Sequence, residues 1–92
     1  MSMQIFQTST FTKQLKKLHK TQKIELDEAV KTILKNPDIG EAKKGDLSGI
    51  RVYKFKMTKQ LTLLAYECNK KKSQIVLLAF GSHENFYIKL KQ

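Results

Sequence analysis

The sequence predicts an α+β domain in which a helical hairpin packs on a mainly antiparallel four-stranded sheet, in the order β-α-α-β-β-β-α. Three features lead there. Apolar residues recur at helical spacing over two stretches before Pro37. After Gly49 the period changes to two. The apolar runs that follow are joined by short polar turns, which suits an antiparallel meander. At 92 residues the chain supports one domain, residues 1–92, with a small core.

Met3 to Gln7 alternates weakly and reads as a first strand. Ser9 or Thr10 then offers an oxygen to cap a helix. Phe11, Leu15 and Leu18 follow at i, i+4 and i+7, surrounded by Lys13, Lys16, Lys17 and Lys20, so this helix has a basic outer face. A second helix is expected from Ile24 to Asn36, with Leu26, Ala29, Val30, Ile33 and Leu34 as its stripe. Glu25, Asp27 and Glu28 fall in its first turns, where the helix dipole favours negative charge. Pro37 ends it, because the residue before proline avoids the helical region. Asp38 to Gly49 reads as a loop. Beyond it, Tyr53, Phe55 and Met57 point to one side of a strand and Val52, Lys54 and Lys56 to the other. Thr58 to Gln60 is a turn and Leu61 to Cys68 a strand. Asn69 to Ser73 is a basic turn. Gln74 to Phe80 is a strand so uniformly apolar that it belongs in the middle of the sheet, covered on both faces. His83 to Leu90 reads as a short last helix, capped by Ser82 and anchored by Phe86 and Leu90.

The formal charge is +10. Residues 1–46 hold 9 bases and 6 acids, a net of +3; residues 47–92 hold 9 bases and 2 acids, a net of +7. A field of one sign attracts polyanions. Nucleic acid and an acidic protein are the partners it favours, and a merely soluble lysine-rich surface is the bland alternative. Cys68 is the single cysteine, so an intramolecular disulfide is excluded. Its apolar surroundings fit a buried structural thiol in a reducing compartment, hence a cytoplasmic protein. No signal peptide is expected, and the longest apolar run, Ile75 to Phe80, is too short to span a membrane.

Several chemistries lack their residues. There is no cysteine–histidine cluster with zinc spacing, no glycine-rich phosphate loop and no carboxylate pair in a basic setting. No metal or cofactor is expected. Lys54 and Lys56, two apart on a strand, share a face, about 7 Å from each other. They can flank a phosphate and neutralise charge on a phosphorane, or simply form a solvated strand face. His83 follows Gly81-Ser82, and Tyr87 comes one helical turn later on the same side. A histidine can give and take protons near neutral pH, and a tyrosine can stack on a base. The plain alternative is a local hydrogen bond and a ring packed on the core. His19, in a lysine-rich stretch, reads as surface.

These residues resemble a known family. The order of elements, the loop with Leu47-Ser48-Gly49, the run Tyr53-Lys54-Phe55-Lys56, the hairpin into Leu64-Ala65-Tyr66-Glu67 and the last strand ending in Gly81 are similar to the RelE/ParE toxins. The likeness covers nearly the whole chain. It implies a RelE/ParE-like fold and a toxin of a type II toxin–antitoxin pair. In the RelE branch both lysines of Tyr-Lys-x-Lys serve catalysis, which points to Lys54 and Lys56. The ending from Gly81 to Tyr87 resembles YafQ-like toxins, which implies catalytic roles for His83 and Tyr87; RelE itself has arginine at the His83 position. Phe86 joins the substrate-binding candidates. One position departs from the pattern: RelE-like nucleases carry arginine three residues before the tyrosine of the third strand, where this chain has Leu63. Arg51 and Lys59 are the candidates to bind substrate in its place.

The resemblance therefore implies a metal-independent endoribonuclease that cuts mRNA, on the ribosome. The alternative is the ParE branch, toxins that inhibit DNA gyrase by binding and carry out no cleavage. A third reading is a nucleic-acid-binding module without activity. The expected partners are a cognate antitoxin, mRNA and the ribosome, with no membrane. The toxin alone is expected to be a monomer, and a hetero-oligomer with its antitoxin.

Overall fold

A computed structural model describes residues 3–45 and 48–82. The expected final helix, His83 to Leu90, and Leu47 lie outside the described residues. The elements are β1 (Gln4–Gln7), α1 (Ser9–Lys16), α2 (Lys20–Lys35), β2 (Glu41–Ala42), β3 (Arg51–Met57), β4 (Gln60–Asn69) and β5 (Gln74–Gly81). They form one sheet in the order β1-β5-β4-β3-β2. β1 runs parallel to β5, and the other pairs are antiparallel. The fold class is the expected one. The sheet has five strands rather than four, because Glu41 and Ala42 of the expected loop pair with Val52 and Arg51. A two-residue strand has too little alternation to show in a pattern.

Two boundaries differ from expectation. The cap of α1 is Thr8, not Ser9 or Thr10. Its backbone is still extended, and its Oγ1 accepts the Phe11 N–H at 3.1 Å. The same Thr8 remains tied to β5: its N–H donates to the Leu77 carbonyl and its hydroxyl to the Leu78 carbonyl at 2.6 Å. Helix α2 starts at Lys20, four residues before Ile24. Glu25, Asp27 and Glu28 therefore fall beyond its first turn, which holds no acid. The His19 N–H is satisfied by the Gln22 side chain at 2.9 Å, a cap that polar residues with no apolar stripe do not advertise.

Both helices pack on one face of the sheet. Phe11, Leu26, Ala29 and Ile33 meet Met57, Leu64, Tyr66, Ile75, Leu77 and Phe80 in the main core. Phe11 and Phe80 contact edge to face, with centroids 5.4 Å apart. The opposite face has its own smaller cluster: Val52, Leu63 and Ala65, bordered by Ile50 and Leu78. This explains why β5 is apolar at successive positions. It lies between β1 and β4, and a bulge opposite Ala65 and Tyr66 leaves Leu78 unpaired, which resets the alternation.

Past β1, the Gln14 side chain takes over as a neighbour for β5. Its amide donates to the Phe80 carbonyl at 2.6 Å and accepts the Phe80 N–H at 3.0 Å. One side chain thus satisfies both backbone groups of a residue that no strand reaches on that side. This clamp holds the end of β5, from which the chain runs on to His83.

Candidate nucleic-acid interface

β3 places Lys54 and Lys56 on the face away from the helices, and both are exposed. The strand alternates as read: Tyr53 and Phe55 pack toward the helical core, with rings stacked at 6.1 Å. Neither lysine makes an ion pair among the described residues. Lys54 lies directly across from Leu63 on β4, and Leu63 directly across from Gly81 on β5. This row brings a lysine of β3 and the residue two before His83 to within about two strand spacings, roughly 10 Å. Lys56 sits one row further out, across from Leu61.

Leu63 is fully buried in this row. It belongs to the apolar cluster with Val52 and Ala65, so this position supplies packing rather than charge.

The two substitute cations occupy different places. Arg51 pairs with Tyr66 on the helix-bearing face and points away from the lysine pair. Its guanidinium donates to the carbonyls of Asp38 and Gly40, at 3.1 and 2.7 Å, and lies 3.4 Å from the Asp38 carboxylate. Arg51 holds the loop after α2 in place. Lys70 reaches the same carboxylate at 2.9 Å, and its hydrogen bond is the main reason the Asp38 carboxyl titrates below its ordinary range. Lys59 is exposed at the tip of the β3–β4 turn, next to the lysine face. Thr58 and Lys59 both have positive φ, 49° and 67°, the left-handed pair that a two-residue hairpin requires. Glu25 steadies this turn by accepting the Thr58 N–H at 2.6 Å, and Gln22 donates to the Thr58 hydroxyl.

Of the residues read from sequence, Lys54 and Lys56 come together and Lys59 lies beside them. Arg51 is set apart. His83, Phe86 and Tyr87 lie outside the described residues. Cys68 is half-buried against the main core. Two residues important to the scaffold escaped the reading. One is Gln14. The other is Tyr66, whose buried hydroxyl donates to the Pro37 carbonyl at 2.7 Å and accepts the Gly40 N–H at 2.9 Å. Gly40 is required there, because a Cβ would stand 2.7 Å from that hydroxyl. No helix among the described residues is long and apolar enough to cross a membrane.

Comparison with known proteins agrees with this architecture. The free E. coli RelE toxin, in a form with two arginines replaced by alanine, superposes with a TM-score of 0.76 at 18% identity, covering 99% of this chain and 94% of that one. The RelBE2 toxin–antitoxin complex of Mycobacterium tuberculosis gives 0.76 at 18% identity, over 90% of this chain and 100% of that one. A conserved hypothetical protein of Helicobacter pylori, HP0892, gives 0.61 at 20%, over 91% and 98%. These likenesses concern the fold. No curated protein sequence matches significantly. The family model of the ParE-like toxins of type II bacterial toxin–antitoxin systems matches residues 5–91. With nearly every residue inside that match, the chain belongs to the ParE-like toxin family of type II toxin–antitoxin systems.

Proposed function

We propose that this toxin is an endoribonuclease that cuts mRNA on the ribosome without a metal. The observation that carries the reading is the exposed pair Lys54 and Lys56, without an ion pair among the described residues, on the sheet face away from the helices, with Lys54 in the same cross-strand row as Gly81, two residues before His83. Nothing in the described structure uses these charges internally, and two cations at strand spacing suit a phosphate and its neighbour.

In this reading the RNA's own 2′-hydroxyl is the nucleophile. A base removes its proton, and the oxygen attacks the adjacent phosphorus. The bond to the 5′-oxygen breaks, and an acid returns a proton to that oxygen. The products are a 2′,3′-cyclic phosphate and a 5′-hydroxyl end. His83 serves as general acid or base. Lys54 and Lys56 stabilise the phosphorane, Lys59 adds a substrate contact, and Tyr87 and Phe86 hold the bases. Arg51 acts on the scaffold rather than on RNA. The antitoxin is a separate partner that silences the toxin in a hetero-oligomer, as the RelE–RelB complexes of the structural relatives suggest.

The gyrase-inhibiting alternative has one observation in its favour: the buried Leu63 in the middle of the lysine row, which puts packing where a cation would serve cleavage. The test is cleavage of mRNA on translating ribosomes in the presence of a chelator. The unmodified chain cuts; Lys54→Ala and His83→Ala each lose at least tenfold, in keeping with the usual worth of proton transfer and charge stabilisation. Full activity in His83→Ala rejects the assignment of that residue.

A further inference from the structure

The helical hairpin carries a second basic surface, which cleavage at the sheet does not use. The first carboxylate in the chain is Glu25; before it come Lys13, Lys16, Lys17, Lys20 and Lys23, with His19 among them. All are exposed around the joint of α1 and α2. None of these lysines has an ion pair among the described residues, whereas Lys31, one turn or more further on, pairs with both Asp27 and Glu28.

This distribution works against the fold. Lys13 and Lys16 end α1, where the dipole welcomes them. Lys20 and Lys23 begin α2, where positive charge opposes the dipole and no acid compensates. Lys13 and Lys16 on α1, and Lys20 and Lys23 on α2, are also three apart, a spacing at which like charges repel. A cluster that is in part unfavourable to the helices, and whose lysines have no ion pair among the described residues, is suited to an external polyanion.

The start of α2 also touches the β3–β4 turn. Gln22 and Glu25 of α2 hold Thr58, so the β3–β4 turn and its Lys59 lie against the start of α2. Lys59 thus lies by the Gln22–Glu25 side of α2, while Lys23 lines the groove on the opposite side of that helix, with Ile5, Gln7 and Leu15.

We propose that the α1–α2 elbow is a second RNA-binding surface, one that takes the phosphate backbone of double-helical RNA while the sheet face takes a single strand. This rests on the RNA-directed reading above. Single strands are held by stacking bases on aromatic rings. The elbow has none to offer, since Phe11, the aromatic residue within it, is buried. A duplex presents phosphates and 2′-hydroxyls and is read by shape and charge. An acidic protein would need an apolar centre to bind firmly. The apolar groove nearest the elbow, lined by Ile5, Leu15, Leu26 and Val30, has Lys23 at its side but none of Lys13, Lys16, Lys17 and Lys20, and the exposed Ile24 belongs to the Tyr53–Phe55 side of α2.

The test uses the full chain and two labelled probes, a short RNA duplex and a single strand. In K17Q/K20Q/K23Q, duplex affinity should fall about tenfold, and the slope of log affinity against log salt should drop by about 2 to 3. Single-strand binding should stay unchanged. Thermal stability should not fall, since Lys20 and Lys23 oppose the dipole of α2 and their removal offsets the loss of Lys17 at the end of α1, so loss of binding is not loss of fold. K54Q/K56Q should show the converse, weakening the single strand and sparing the duplex. An unchanged duplex affinity and salt slope in the triple variant would overturn the proposal while leaving the RNA reading intact. Failure of the unmodified chain to bind either RNA would overturn both. Duplex binding unaffected while an acidic antitoxin is lost would assign the elbow to protein and also reject it.

Discussion

Leu63 lies directly across from Lys54, one fully buried and the other exposed, on the same face of adjacent strands. The face that carries the lysines is therefore half apolar core and half exposed charge. Val52, Leu63 and Ala65 keep a second apolar cluster under the end of β5, and the lysines project beyond it. Leu63→Ala should cost about 2–5 kcal/mol, the usual range for truncating a buried leucine. Denaturant unfolding measures this. A loss below 1 kcal/mol would mean that the cluster is not packed as described.

Gln14 joins the helical hairpin to the C-terminal end of β5 through two hydrogen bonds to Phe80. Gln14→Leu keeps the bulk and removes both. Each leaves a backbone group without its partner, so the substitution should cost about 1–3 kcal/mol. Hydrogen exchange at the Phe80 amide should accelerate more than at Ile75, which lies in the paired part of β5.

Tyr66 gives the pH dependence a sign. Burial is the main cause that raises its phenol above the ordinary value of 10.0. The folded state holds the proton more tightly than the unfolded one. The stabilisation is thus complete below about pH 10 and is lost as pH rises through the folded-state value. Tyr66→Phe should be less stable at neutral pH by about 1–3 kcal/mol, because Pro37 and Gly40 lose their partner. The gap to the unmodified chain should narrow above pH 10. Parallel stability curves for the two proteins would contradict this.

The sequence made the class and the faces legible where patterns are strong. Tyr53, Phe55 and Met57 against Val52, Lys54 and Lys56 is a period of two over six residues, and the structure keeps it. β5 reads as central because a strand covered on both faces needs apolar residues throughout; it is an interior strand, between β1 and β4, but the middle place belongs to β4. The misses have physical reasons. Glu41–Ala42 is too short to carry a period. The start of α2 is built from polar residues held by Gln22 rather than by an apolar stripe, so the stripe marks its second turn and not its first. Arg51 reads as a free cation because composition cannot show that Asp38 and Gly40 come back to meet it. The lysine pair was legible because strand parity alone fixes which side chains share a face.

The central claim is that the toxin acts by cutting RNA. The most direct measurement is induction of the toxin in growing cells, with mapping of mRNA 5′ ends by primer extension and a parallel reporter of the SOS response. The account predicts growth arrest with new internal mRNA ends bearing 5′-hydroxyls, no SOS induction, and loss of both arrest and cuts in Lys54→Ala. Growth arrest with intact mRNA and a strong SOS response would contradict it and assign the toxin to gyrase.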